Sequence, residues 1–175
     1  MTVDILPPAL APVAIDEAKA FLRVEGSTED ALIAGFIRAA TGLAEAFTGQ
    51  RLIVRDVIEG AATVATWQRL RAAPVVSITG IDGSTGPLPG TAFETDIDLA
   101  GNGWVRIIDP GGATRVTVRY RAGLAADWNG IPEPLRQGIV RLVSHFYAHR
   151  DASDAGGPPA AVAALWRPWR RLRLG

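Results

Sequence analysis

The stretch STEDALIAGFIRAATGLAEAFTG, residues 27–49, decides the fold class. Leu32, Ile33, Phe36, Ile37, Ala40, Leu43, Ala44 and Phe47 recur in it at spacings of three and four, which predicts a helix over 28–48 with one apolar face. Ser27 reads as its N-cap, with Asp30 three residues on as an Asp variant of the capping box, and Gly49 reads as its C-cap. Burying the six large members of that face contributes ~9–18 kcal/mol at most. The face is core or interface; it cannot be left in water.

Outward from this helix the chain changes character twice. Upstream, a short helix is expected over 15–23, after the prolines at 7, 8 and 12, with Asp16 and Glu17 in its first turn and Arg23 in its last. Downstream, residues 50–121 read as β structure: runs at 52–59, 64–70, 75–79, 93–99, 104–108 and 114–121 are separated by Gly- and Pro-rich turns, and 83–90 reads as an irregular loop. The last run alternates, Val116, Val118 and Tyr120 against Arg115, Thr117, Arg119 and Arg121. Ile131-Pro132-Glu133-Pro134 then opens a second long helix over 132–150 with a stripe of Leu135, Ile139, Leu142, Val143 and Phe146. The expected fold is α+β: a small helical bundle with an inserted antiparallel β region and an extended C-terminal tail. Residues 1–151 would form the body and 152–175 a Gly- and Pro-rich hinge with the tail.

Composition limits the function classes. A 48% hydrophobic and 21% charged chain of 175 residues is ordinary globular chemistry. Without cysteine there is no disulfide framework, thiolate metal site or cysteine nucleophile. The apolar N-terminal residues follow no basic segment, and no run approaches the length of an uncharged membrane span, so neither export by signal peptide nor a membrane partner is expected. Net charge is zero, yet residues 1–60 carry nine acidic and five basic side chains while 132–175 carry three and seven. Opposite ends of opposite sign favour head-to-tail packing of copies, or docking on a charged partner, over uniform wrapping of DNA.

Chemical motifs are few. His145 and His149 have the spacing of a two-histidine metal pair, but Phe146 stands where a zinc protease needs glutamate, and two cations near a helix C-terminus explain them as well. Ser144 adjoins His145 on a helix, where neighbours do not face each other. Asp96, Asp98 and Asp109 fit turn chemistry better than a cation loop, and Gly80–Gly86 lacks the Lys of a phosphate loop. No catalytic residue, metal or cofactor is assigned. Arg115, Arg119 and Arg121 could contact DNA phosphates or pair with acids of a neighbouring subunit.

The C-terminal AAVAALWRPWRRLRLG, residues 160–175, holds two tryptophans, four arginines and no acid. Trp and Arg are the residues most enriched at binding hot spots. Three destinations are open for it: its own domain, another chain, or DNA.

Ordered blocks along nearly the whole sequence resemble the head–tail connector (adaptor) proteins of long-tailed bacteriophages and gene transfer agents. They are VAIDEAKAFLRV (13–24), EDALI (29–33), AEAFTG (44–49), PVVSITGI (74–81), VRYRAG (118–123), IPEPLRQGI (131–139), HFYAHR (145–150) and ALWRPWRRLR (164–173). The departure is at Trp166 and Trp169, where the family pattern has a more aliphatic residue and tyrosine. The resemblance implies a non-enzymatic virion subunit in a ring of about twelve copies, made in the bacterial cytoplasm and placed in the particle neck. That ring would sit beneath the portal protein, extend the channel through which DNA passes without sequence-specific binding, and carry the next neck or tail component. It also implies that Leu165, Trp166, Arg167, Trp169, Arg170, Arg171, Leu172 and Arg173 dock on the portal. The alternative from another class is a DNA-binding accessory protein using the Arg-rich strand and the tail.

Overall fold

The computed structural model describes residues 3–5, 15–149 and 157–171; the first part of the expected hinge, to residue 156, lies outside these, as do Leu172 and Arg173. The chain divides into two compact units, one of residues 1–9 and 53–124, the other of 10–52 and 125–175. The mixed α+β class is as expected, with four helices and two antiparallel sheets. Residues 157–171 belong to the second unit.

The helical unit contains α1 (Ile15–Leu22), α2 (Asp30–Thr48), α3 (Glu133–Ala148) and α4 (Ala160–Trp166), the last continued by a 3₁₀ turn over Arg167–Trp169. At 19 residues α2 is long and apolar enough to cross a membrane, yet it packs along α3, and Ile33, Ile37, Ala40 and Ala44 are fully buried. Gly49 ends it as expected, in the left-handed conformation at φ 68° with its N–H on the Glu45 carbonyl. The start differs. Glu29 occupies the N-cap with no side-chain cap, while the Ser27 carbonyl accepts the Asp30 N–H at 3.2 Å in a preceding turn.

The buried stripe of α2 is also rotated from the expected one. Leu32 is 40% exposed, and Thr41, Glu45 and Thr48 are buried instead. Their polar atoms are satisfied locally: Thr41 and Thr48 donate to the Ile37 and Ala44 carbonyls at 2.8 and 2.7 Å, and Glu45 accepts from Leu52 N–H and Arg51 at 3.0 and 2.9 Å. Buried polar groups cost little when so paired. Lys19 to Asp30 (2.8 Å), Tyr147 to Glu29 (2.6 Å) and Trp128 to Glu17 (2.8 Å) tie the remaining elements together.

The β unit has a five-stranded sheet ordered β1 (Val3–Ile5), β2 (Arg55–Ala62), β8 (Arg115–Ala122), β4 (Val75–Gly83), β5 (Gly86–Pro87), and a three-stranded sheet ordered β3 (Gln68–Arg69), β7 (Gly103–Ile107), β6 (Phe93–Ile97). Strands β1 and β5 lie outside the expected runs; β4 and β5 form a hairpin around Ser84-Thr85 inside the stretch read as an irregular loop. The alternation of β8 holds, with Val116, Val118 and Tyr120 buried and Arg115, Arg119 and Arg121 exposed. One core joins the inner faces of both sheets, including Val57, Ile81, Val105, Ile107 and Val118. It also contains the carboxylate of Glu59, held by the Tyr120 hydroxyl at 2.6 Å and the Arg71 N–H at 2.9 Å.

Candidate docking site at the C-terminal segment

Pro159 precedes the first turn of α4, and Pro168 stops the α-helix by forcing the 3₁₀ turn. Seven residues of α4 would not hold as an isolated helix. Trp166 fixes it. Its side chain is 0% exposed and its indole N–H donates to the Leu135 carbonyl at 3.3 Å. The ring lies on Gly138 of α3: a Cβ there would fall 2.1 Å from the indole nitrogen. Phe47 of α2 closes the other side, with ring centroids 5.8 Å apart.

The backbone beyond Trp166 is stitched to the end of α2. Arg171 N–H donates to the Thr48 carbonyl at 2.8 Å, and the Gln50 side-chain amide donates to the Trp169 carbonyl at 2.5 Å. Helix C-termini carry unsatisfied carbonyls and partial negative charge. The last turn of α2 has no basic residue of its own. Arg170 and Arg171 arrive there instead, and the Arg170 guanidinium lies 5.7 Å from the Phe47 ring centroid.

Of the residues assigned to portal docking, Trp166 is therefore enclosed by its own unit. Arg167 and Arg170 are exposed, while Leu165, Trp169 and Arg171 are half-buried. The signal for the Trp166 site was Gly138. A glycine inside the apolar stripe of a helix costs about 1 kcal/mol against alanine, and close approach by a large ring accounts for it.

The other candidates are distributed across the β unit and α3. Arg119 pairs with Asp82 at 2.7 Å and Arg121 with Asp56 at 3.9 Å, both within the sheet, and Arg115 stands exposed at the start of β8. Asp98 closes the β6–β7 turn by accepting from the Asn102 side chain and N–H at 2.7 and 2.8 Å, and Asp109 accepts the Gly111 N–H at 2.9 Å. The Asn102 amide, above all, holds the Asp98 carboxyl down at about 2. His149 is the C-cap of α3; its Nδ1 is 2.9 Å from the His145 carbonyl and the two rings are 4.4 Å apart.

Residues 13–73 match the family model of the phage gp6-like head-tail connector proteins. The chain resembles head–tail connectors. Its fold agrees over 99% of its length with 97% of a chain in the neck of an empty GTA particle with C6 symmetry, at TM-score 0.78 and 25% identity. A chain in the virion of a native gene transfer agent (GTA) particle matches with the same coverage, TM-score 0.77 and 25% identity. A third, from the neck of a native GTA particle with C12 symmetry, shares the fold at TM-score 0.76 and 24% identity. No curated protein matches the sequence. The head–tail connector resemblance thus extends from the sequence blocks to the architecture of both units.

Proposed function

We propose that this chain is a structural, non-enzymatic connector (adaptor) subunit of the neck of a tailed phage or gene transfer agent. Copies close into a ring of about twelve through heterologous contacts, beneath the portal protein. The ring extends the DNA channel, without sequence-specific DNA binding or a membrane partner, and carries the next neck or tail component. The observation that carries this reading is the agreement of this chain, over nearly its full length, with nearly the full length of a chain in a GTA neck. The six-fold symmetry of that neck is one that a ring of twelve obeys.

Portal docking is assigned to the C-terminal segment, where Arg167 and Arg170 are exposed and Trp169 is half-buried; Leu172 and Arg173 follow them in the sequence. Arginines fixed by a packed helix lose less entropy on binding than arginines on a free tail. The test is Arg167→Glu with Arg170→Glu, mixed with portal and weighed by native mass spectrometry. Loss of the mixed complex by a variant that remains folded by circular dichroism is expected; wild-type complex formation refutes the assignment. In the DNA-binding alternative, Arg119 and Arg121 would exchange surface pairs with Asp82 and Asp56 for phosphates. That alternative requires duplex affinity that falls steeply with salt.

A further inference from the structure

The outward face of the three-stranded sheet has no role in the assignment above. Cross-strand pairing places Asp96 opposite Trp104 and Trp104 opposite Arg69, with Glu94 opposite Arg106 in the next row. Their neighbours Val105, Ile107 and Leu70 point the other way, into the core. Trp67, Trp104 and Asp96 line an open hollow of about 280 Å³. Trp67 is 43% exposed, and Val64, Ile97, Leu99 and Ile108, all in or beside this sheet, are also large exposed apolar residues. Two tryptophans lining one open hollow suit an interaction site, where Trp is enriched.

The charges say what the hollow takes. Arg106 is held by Glu94 at 2.6 and 2.9 Å, Arg69 by the Asn102 side chain at 2.5 Å, and Asp98 by Asn102 and the Trp104 indole N–H. Among the described residues the Asp96 carboxylate has no ion pair or hydrogen bond. An anion flanked by two indoles suits a cation, since indole faces attract positive charge. Arginine suits it better than lysine, because its planar, weakly hydrated guanidinium stacks on a ring while its fork meets a carboxylate. The face already uses that contact: the Arg106 guanidinium lies 5.0 Å from the Trp67 ring centroid.

We propose that the Trp67–Trp104–Asp96 hollow is a receptor for an arginine side chain of a second copy of this chain. The inference rests on the ring reading, in which each subunit presents one face to a different face of its neighbour. The sequence supplies the complement: 17 arginines against one lysine, with Arg115 and Arg167 among the exposed ones.

Two experiments test it, and they fail separately from the connector reading. In the first, ¹⁵N-labelled protein is titrated with N-acetyl-L-arginine amide while the indole N–H signals are followed. The Trp67 and Trp104 signals should shift saturably, and Asp96→Asn or Trp67→Ala should weaken the response about two- to fivefold, the worth of an exposed ion pair or cation–π contact. N-acetyl-L-lysine amide should bind more weakly. No shift of these two signals, or an equal response to maltose as a neutral sugar, overturns arginine recognition. In the second, Trp67→p-benzoylphenylalanine is incorporated into particles, irradiated and mapped. An arginine-bearing peptide of a second copy is expected; capture of a different neck protein overturns the choice of partner while leaving the connector reading intact. Absence of the chain from purified particles refutes the connector reading itself, and the titration still decides whether the hollow takes arginine.

Discussion

Gly138→Ala should destabilise this protein, although the same change in an ordinary exposed helix stabilises by about 1 kcal/mol. The new methyl carbon would lie 2.1, 2.7 and 2.8 Å from the nitrogen and two carbons of the Trp166 indole. The indole is rigid, fully buried, and backed by Phe47. If the ring stays and the helices spread, overpacking costs about 1–3 kcal/mol. If the ring is expelled, up to about 150–250 Å² returns to water, worth ~4–6 kcal/mol as an upper bound. After the helix-propensity gain of about 1 kcal/mol, a net loss of about 0–2 kcal/mol is expected if the helices spread and about 3–5 kcal/mol if the ring is expelled. Urea unfolding followed by far-ultraviolet circular dichroism measures it. The decisive control is Trp166→Ala, which alone should cost about 3–5 kcal/mol. In that background Gly138→Ala has nothing to strike and should restore about 1 kcal/mol. One substitution thus carries opposite signs in two backgrounds. A raised midpoint for Gly138→Ala in the otherwise unchanged protein would refute the packing of the C-terminal segment argued above.

The β unit offers two further tests. Asn102→Ala removes the side-chain donor to Asp98 but keeps the backbone one, so its carboxyl should titrate above about 2 and below 3.8, as read by carboxyl ¹³C shifts. Because the folded value lies below the unfolded one, the stability from this turn is present above pH 3.8 and lost as pH falls through 2; the variant should flatten that acid limb, and an unmoved titration would sink the assignment. Tyr120→Phe takes a 2.6 Å donor from buried Glu59 and a 3.1 Å acceptor from the Ala72 N–H. It should lower stability by about 2–4 kcal/mol; a thermal midpoint equal to wild type would show that Glu59 finds another donor.

Where local chemistry decided the structure, the sequence was readable. Gly49 could be assigned because only a left-handed residue ends a helix in that way, and β8 because its alternation follows from one wet and one dry face. Leu32 misled because the periodic pattern does not say which edge of an apolar stripe is covered, and threonines that bond their own helix can take the buried edge. The β4–β5 hairpin was hidden by glycine and proline, which mark turns equally well without strands. The least legible feature was the destination of Trp166. Its pocket is built from residues at 47, 135 and 138, and only the glycine hinted at a large neighbour. The Trp67–Trp104–Asp96 hollow was likewise invisible, because it needs the register of three strands that share no sequence pattern.

The placement of α4 also bears on how the chain matures during synthesis. The helical unit draws on residues from both ends of the sequence, while the strands of the β unit are complete once residue 122 has emerged. At about 5–20 residues per second, α2 waits several seconds for α3, and longer for the indole that covers Gly138. Trp166, the indole that closes the helical core, thus emerges after Phe47, Leu135 and Gly138, the residues it packs against. A polypeptide cut short before position 166 leaves the groove over Gly138 uncovered, and exposed apolar surface of that kind is what chaperones and proteases engage.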